Sequence, residues 1–226
     1  MSLDKSIAQK NLTLDGEDRH ALLSTSEACM DTRITFPRYS GLRCLMMPYI
    51  QGMPGSVPAE YDAYADVLRD VYVKRGDIGY LTVDESVVMA GRPHRGDRAK
   101  HGRAIHTEAG KRPGGCWGWG SSDLVRLDRD VQILLANSLD GSCAVWDATH
   151  EDASLDGDIG HVADLYPYET ATLMRAGDVH QVGILTPHES LPVWRDVRRQ
   201  FLRIVGGGVH GREEYFTVNP IMPGVC

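Results

Sequence analysis

The sequence is short of several things. No apolar run exceeds a few residues, as in Ile133-Leu134-Leu135-Ala136, so no segment reads as a membrane-crossing helix and no membrane partner is expected. The opening Met1-Ser2-Leu3-Asp4-Lys5 has neither an apolar core nor a cleavage site, so no secretory leader and a cytoplasmic location are expected. Positive charge is in deficit: 24 Lys and Arg stand against 31 Asp and Glu, a net charge of −7. Duplex nucleic acid is held through a positive footprint, so this balance argues against a bulk nucleic-acid binder. The five cysteines, at 29, 44, 116, 143 and 226, are odd in number, widely spaced and free of any Cys-x-x-Cys. That pattern argues against a disulfide framework or a thiolate zinc site and fits reduced, scattered thiols. There are no internal repeats and no low-complexity linker.

What is present is turn-rich. Twenty-four glycines and 11 prolines punctuate 226 residues that are 42% hydrophobic, the composition of a globular chain of one domain. Pro58 opens the clearest helical stripe, with Tyr61, Tyr64, Ala65, Leu68, Val71 and Tyr72 at three- and four-residue steps, closed by Arg75-Gly76. A weaker helix is expected over 18–29. Strand-like runs follow at 78–89, 130–136, 143–146, 169–174, 179–185 and 199–205, separated by Asp-Gly and Gly-Asp turns. The expected fold is mainly β with flanking helices, a double-stranded β-helix (jelly roll). It forms a single domain over 1–226, with helical and strand support over about 1–90 and the jelly-roll core over about 91–210.

Three side chains in this frame can hold a metal. Ile105-His106-Thr107-Glu108 contains His-x-Glu, and on a strand residues i and i+2 share a face, so the imidazole and carboxylate converge. His188 lies 188 − 106 = 82 residues on, enough for intervening strands to return it to the same place. Two histidines and one carboxylate make a facial set with open positions, which suits non-haem Fe(II). Arg198, at the start of the next strand, can hold the far carboxylate of a metal-chelating acid as a bidentate pair. On that strand Arg198, Gln200, Leu202 and Ile204 share one face, and Arg199, Phe201, Arg203 and Val205 the other. The face with a single arginine followed by Leu and Ile is read as the barrel interior, which selects Arg198; Arg199 is the register-slip alternative.

The order of these residues resembles the Fe(II)/2-oxoglutarate-dependent oxygenases. His188-Glu189-Ser190-Leu191-Pro192-Val193 followed by Arg198 is similar to the distal histidine and oxoglutarate-binding segment of the prolyl-hydroxylase-like branch. Gly177-Asp178 fits the turn before that histidine, and His106-Thr107-Glu108 resembles the His-x-Glu of clavaminate-synthase-like members. Most members carry Asp at the position of Glu108. The resemblance covers about residues 100–206. It implies Fe(II) bound by His106, Glu108 and His188, 2-oxoglutarate anchored by Arg198, and molecular oxygen used to hydroxylate or otherwise oxidise a C–H bond. The substrate expected is a small polar molecule.

Rival readings remain open. Gly177-Asp178-Val179-His180 resembles half of a cupin motif, and a cupin-like isomerase or epimerase would use His180; a non-catalytic jelly-roll binding protein is a third reading. His150-Glu151-Asp152 offers His-x-Asp, but only 188 − 150 = 38 residues before His188 and within an acidic stretch. The basic stretch over 92–112 reads as a solvated loop. Its Arg98 and Arg103 could draw an anionic substrate towards Trp117 and Trp119. Gly206 to Gly211 formally fits a dinucleotide-binding glycine pattern, but too little chain follows for the required helix and strand.

Overall fold

A computed structural model describes residues 32–94, 102–108, 131–151, 157–206 and 216–224. The described residues form two antiparallel sheets. The strands are β1 (Arg43–Ile50), β2 (Ile78–Val88), β3 (Gln132–Asn137), β4 (Cys143–Val145), β5 (Thr172–Leu173), β6 (His180–Gly183), β7 (His188–Ser190) and β8 (Val197–Val205). The first sheet has the order β1-β2-β8-β3-β6 and the second β5-β4-β7. β1 and β2 thus extend the same sheet as the later strands, so the sheet runs straight across the boundary expected near residue 90. The expected helix over 18–29 lies outside the described residues.

Period-2 alternation divides each sheet into two faces, and each face has its own cover. Leu81, Val83, Leu134, Ala136, Leu202 and Ile204 point out of the first sheet and pack on Tyr61, Tyr64, Leu68 and Val71. Tyr80, Ile133, Leu135, Val182, Phe201 and Val205 point the other way and meet Cys143 and Met174 from the second sheet. The outer face of the second sheet, with Ala144 and Trp146, is closed by Ile159, Ala163 and Tyr166. Two sheets therefore enclose one interior, and each has a further layer outside it.

The stripe beginning at Pro58 is less regular than its spacing predicts. Ala59–Tyr64 is a 3₁₀ helix and only Ala65–Asp70 is α-helical (α1). At Val71 the backbone turns extended (φ −110°, ψ 113°), so the helix ends before Arg75-Gly76. Three residues per turn stacks Tyr61 on Tyr64, which is how both reach the sheet. The expected strand over 169–174 shrinks to β5 behind a short 3₁₀ turn at Tyr168–Thr170.

Glu85 ties this helical layer to the sheet. Its Oε2 accepts from the backbone N–H groups of Ser40, Gly41 and Leu42 at 2.6, 2.7 and 3.1 Å. Its Oε1 accepts from the Tyr64 hydroxyl at 2.8 Å and from Gln200 Nε2 at 2.9 Å. Burial opposes the charge, but the hydrogen bonds from Ser40, Tyr64, Gln200 and Leu42 outweigh it and hold the carboxyl at about 2, against an ordinary 4.5. A depressed carboxylate pKa stabilises the fold above its unfolded value, and that contribution drains as pH falls towards the folded value. Glu85→Gln is expected to cost about 2–4 kcal/mol at neutral pH. It should also flatten the loss of stability between pH 4.5 and 2, as read by urea unfolding across that range.

Candidate metal centre

The site is built where a short segment pairs with β7. His106 donates its backbone N–H to the His188 carbonyl at 3.0 Å, and His188 returns the bond at 2.9 Å. This reciprocal antiparallel pair sets the two residues directly opposite each other, with side chains on one face. The imidazole rings lie 4.2 Å apart between centroids. Two residues on, Glu108 reaches the same face, and its Oε1 is 3.6 Å from His188 Nε2. Ligand atoms of His106, Glu108 and His188 all lie within 4.8 Å of one another, close enough to share a metal ion.

Hydrogen bonds orient the donors. His106 Nδ1 bonds the Ala104 carbonyl at 2.8 Å and His188 Nδ1 the Thr186 carbonyl at 2.9 Å. A carbonyl oxygen only accepts, so each Nδ1 carries a proton, and Nε2 is the atom left to offer a metal its lone pair. Backbone carbonyls behind ligating imidazoles are the usual outer partners of a metal site. Glu108 Oε1 also accepts from buried Arg203 Nη1 at 2.6 Å. A carboxylate has about four lone-pair sites, so this bond does not exhaust it. Two imidazoles and a carboxylate suit Fe, Zn or Mn, and the donor set fits such an ion.

The ligand-bearing segment is fixed from outside as well. Arg103 forms an ion pair with buried Glu189 (Nη2–Oε2 2.7 Å) and donates from Nη1 to the carbonyls of Ala163 and Tyr166. Ala104 N–H donates to the other Glu189 oxygen at 3.1 Å. Alternation in β7 therefore sends His188 and Ser190 to the interior and Glu189 to the clamp. Arg103 is thus a structural tie, which corrects its reading as a solvated, substrate-attracting charge. Arg98, Trp117 and Trp119 lie outside the described residues.

A cavity of about 360 Å³ lies between the sheets beside this centre, lined by His106, His188, Ser190, Arg199, Asp84 and His94 among others. Arg199 is 1% exposed. It donates to Ser190 Oγ at 3.2 Å and Cys143 Sγ at 3.0 Å, while its Nε has no partner. Among the described residues no carboxylate pairs with it. Arg198, selected from sequence, is instead exposed on the opposite face, its guanidinium 5.2 Å from the Tyr39 ring centroid. The Leu202 and Ile204 face that suggested an interior packs on the helical layer. Because both faces of the sheet are covered, apolar character did not distinguish them.

The other candidates stay apart. His180, on β6, pairs with Leu135 of β3, burial pushes its imidazole below the ordinary value, and it is not within the three-residue group. His150 bonds the Tyr166 hydroxyl through Nδ1 at 2.9 Å, and Asp152 lies outside the described residues. Arg203 was missed from sequence, although two charges at 199 and 203 on one face of an otherwise apolar strand are the signal of a polar interior. Asp84, on the cavity wall, is surrounded by hydrogen-bonding and charged groups. Burial opposes its charge, but His94, Ser86 and Arg43 hold its carboxyl well below the usual range.

No family model matches the chain, and no curated protein or solved structure shows significant similarity to it.

Gly157 guards the segment from behind. It has φ +76°, accepts from Thr107 N–H at 2.9 Å, and a Cβ there would lie 2.0 Å from the Thr107 carbonyl oxygen. Gly157→Ala must displace the 105–107 segment; the expected cost is about 1–3 kcal/mol. Chemical unfolding checks that cost, and titration with Mn(II) checks the expected loss of metal affinity.

Proposed function

We propose that the protein is a non-haem Fe(II)/2-oxoglutarate-dependent oxygenase built on a double-stranded β-helix. His106, Glu108 and His188 would hold the metal, and Arg199 rather than Arg198 the far carboxylate of 2-oxoglutarate. The observation that carries this reading is the buried Arg199, without a carboxylate partner among the described residues, in the cavity lined by His106 and His188. A buried unpaired cation is costly, and a site that keeps one is complementary to an anion. Ser190, which Arg199 touches, is two residues from His188 on β7, roughly 7 Å along a strand. A short diacid that chelates a metal at one end would place its second carboxylate at that distance.

With iron bound, the centre would couple oxidative decarboxylation of 2-oxoglutarate to oxidation of a substrate C–H bond. The chain's own part is positional. The carbonyls of Ala104 and Thr186 fix the imidazole orientation. Arg199 and Ser190 orient the diacid. The cavity volume suits a small molecule, and Asp84, Arg43 and His94 on its wall make that end polar.

The test is succinate formation from 2-oxoglutarate with Fe(II) and oxygen, alongside metal analysis. His188→Ala should abolish metal-dependent turnover. Arg199→Met should raise the 2-oxoglutarate requirement by about a hundredfold, the scale of a charge-assisted carboxylate pair, and Arg198→Ala should leave it unchanged. Metal binding without any succinate would instead support the cupin-like isomerase or epimerase. Absence of both would support a binding protein.

A further inference from the structure

Glu108 has a second claimant. Arg203 is 2% exposed, stands on β8 directly opposite Thr82 of β2, and donates from Nη1 to Glu108 Oε1 at 2.6 Å. It also contacts Thr82 Oγ1 at 3.4 Å. The oxygen it holds is the one 3.6 Å from His188 Nε2, the oxygen that faces the proposed metal position. Resting on the metal reading, we infer that Arg203 is a positioning residue: it is the resting counter-ion of Glu108, and a metal ion must share that carboxylate with it.

Two physical consequences follow from one geometry. Without metal, the guanidinium balances a buried carboxylate and keeps it turned towards the two imidazoles. With metal, two cations meet at one carboxylate in a poorly screened interior, so Arg203 weakens the bare ion.

The experiment is calorimetric titration with Mn(II) alone, with thermal melting in the presence and absence of Mn(II). Wild type, Arg203→Gln, Arg203→Met and the charge-preserving Arg203→Lys are compared. Both neutral variants should melt lower without metal but bind Mn(II) at least about tenfold tighter, since a unit charge a few ångströms from a divalent ion costs that much even with the screening of water. Their rise in Tm on Mn(II) addition should be larger than that of wild type, and Arg203→Lys should stay near wild type. If only one neutral variant folds, that one decides. Equal losses of Tm with and without metal would make Arg203 a core cation only and overturn the inference, as would unchanged or weaker Mn(II) affinity; either leaves the metal reading standing. Failure of the wild type to bind Mn(II) at all removes both.

Discussion

Two backbone hydrogen bonds between His106 and His188 are the constraint on which the site depends. They join residues 82 positions apart and leave little choice of register, because a slip of one residue in the 105–107 segment would turn His106 away from His188 and out of the interior. Glu108 then arrives two residues on, where Arg203 holds its carboxylate. The surrounding structure serves this pair: Thr107 bonds Gly157 on one side, Ile159 bonds Ile105, and the Arg103–Glu189 ion pair anchors the start of the segment. A short three-stranded sheet with few hydrogen bonds of its own is thereby made a rigid support for ligands.

The interior is unusual in its charges. A space between two sheets is normally filled with apolar side chains, and much of this one is. Yet β8 sends Arg199 and Arg203 into it, four residues apart on one face. Burying a guanidinium is costly without compensation. Arg203 is compensated by Glu108, while among the described residues Arg199 donates to a hydroxyl and a thiol and pairs with no carboxylate. That asymmetry gives the cavity a positive end beside a set of metal-ligating atoms, which is why a chelating anion is the ligand we propose for it.

Charge elsewhere has a purely structural use. Glu85 lies on β2 facing the helical layer, where three backbone N–H groups and the side chains of Ser40, Tyr64 and Gln200 converge on its two oxygens. It organises the 40–42 turn and locks Tyr64 to the sheet. The neighbouring Asp84 points the opposite way, into the cavity. Adjacent carboxylates on one strand thus serve different ends, because alternation sends them to different layers.

Much was legible from residues alone. Turn chemistry and short apolar runs gave a mainly β chain, and the strands over 78–88 and 197–205 lie close to their expected bounds. Period-2 geometry placed His106 beside Glu108. The sequence could also state that Arg198 and Arg199 face opposite ways. It could not state which way is inward, because that depends on the cover over each face. Helix α1 and the 3₁₀ turn before it bury Leu202 and Ile204 on the outside of the sheet, so an apolar stripe marked the wrong side. The pairing of Arg203 with Glu108, 95 residues apart, and the clamp of Arg103 on Glu189 are contacts between distant segments with no local signature. Local sequence sets period and turn, which are properties of neighbouring residues. Which face becomes the interior, and which charges meet there, is decided only when the two sheets close on each other.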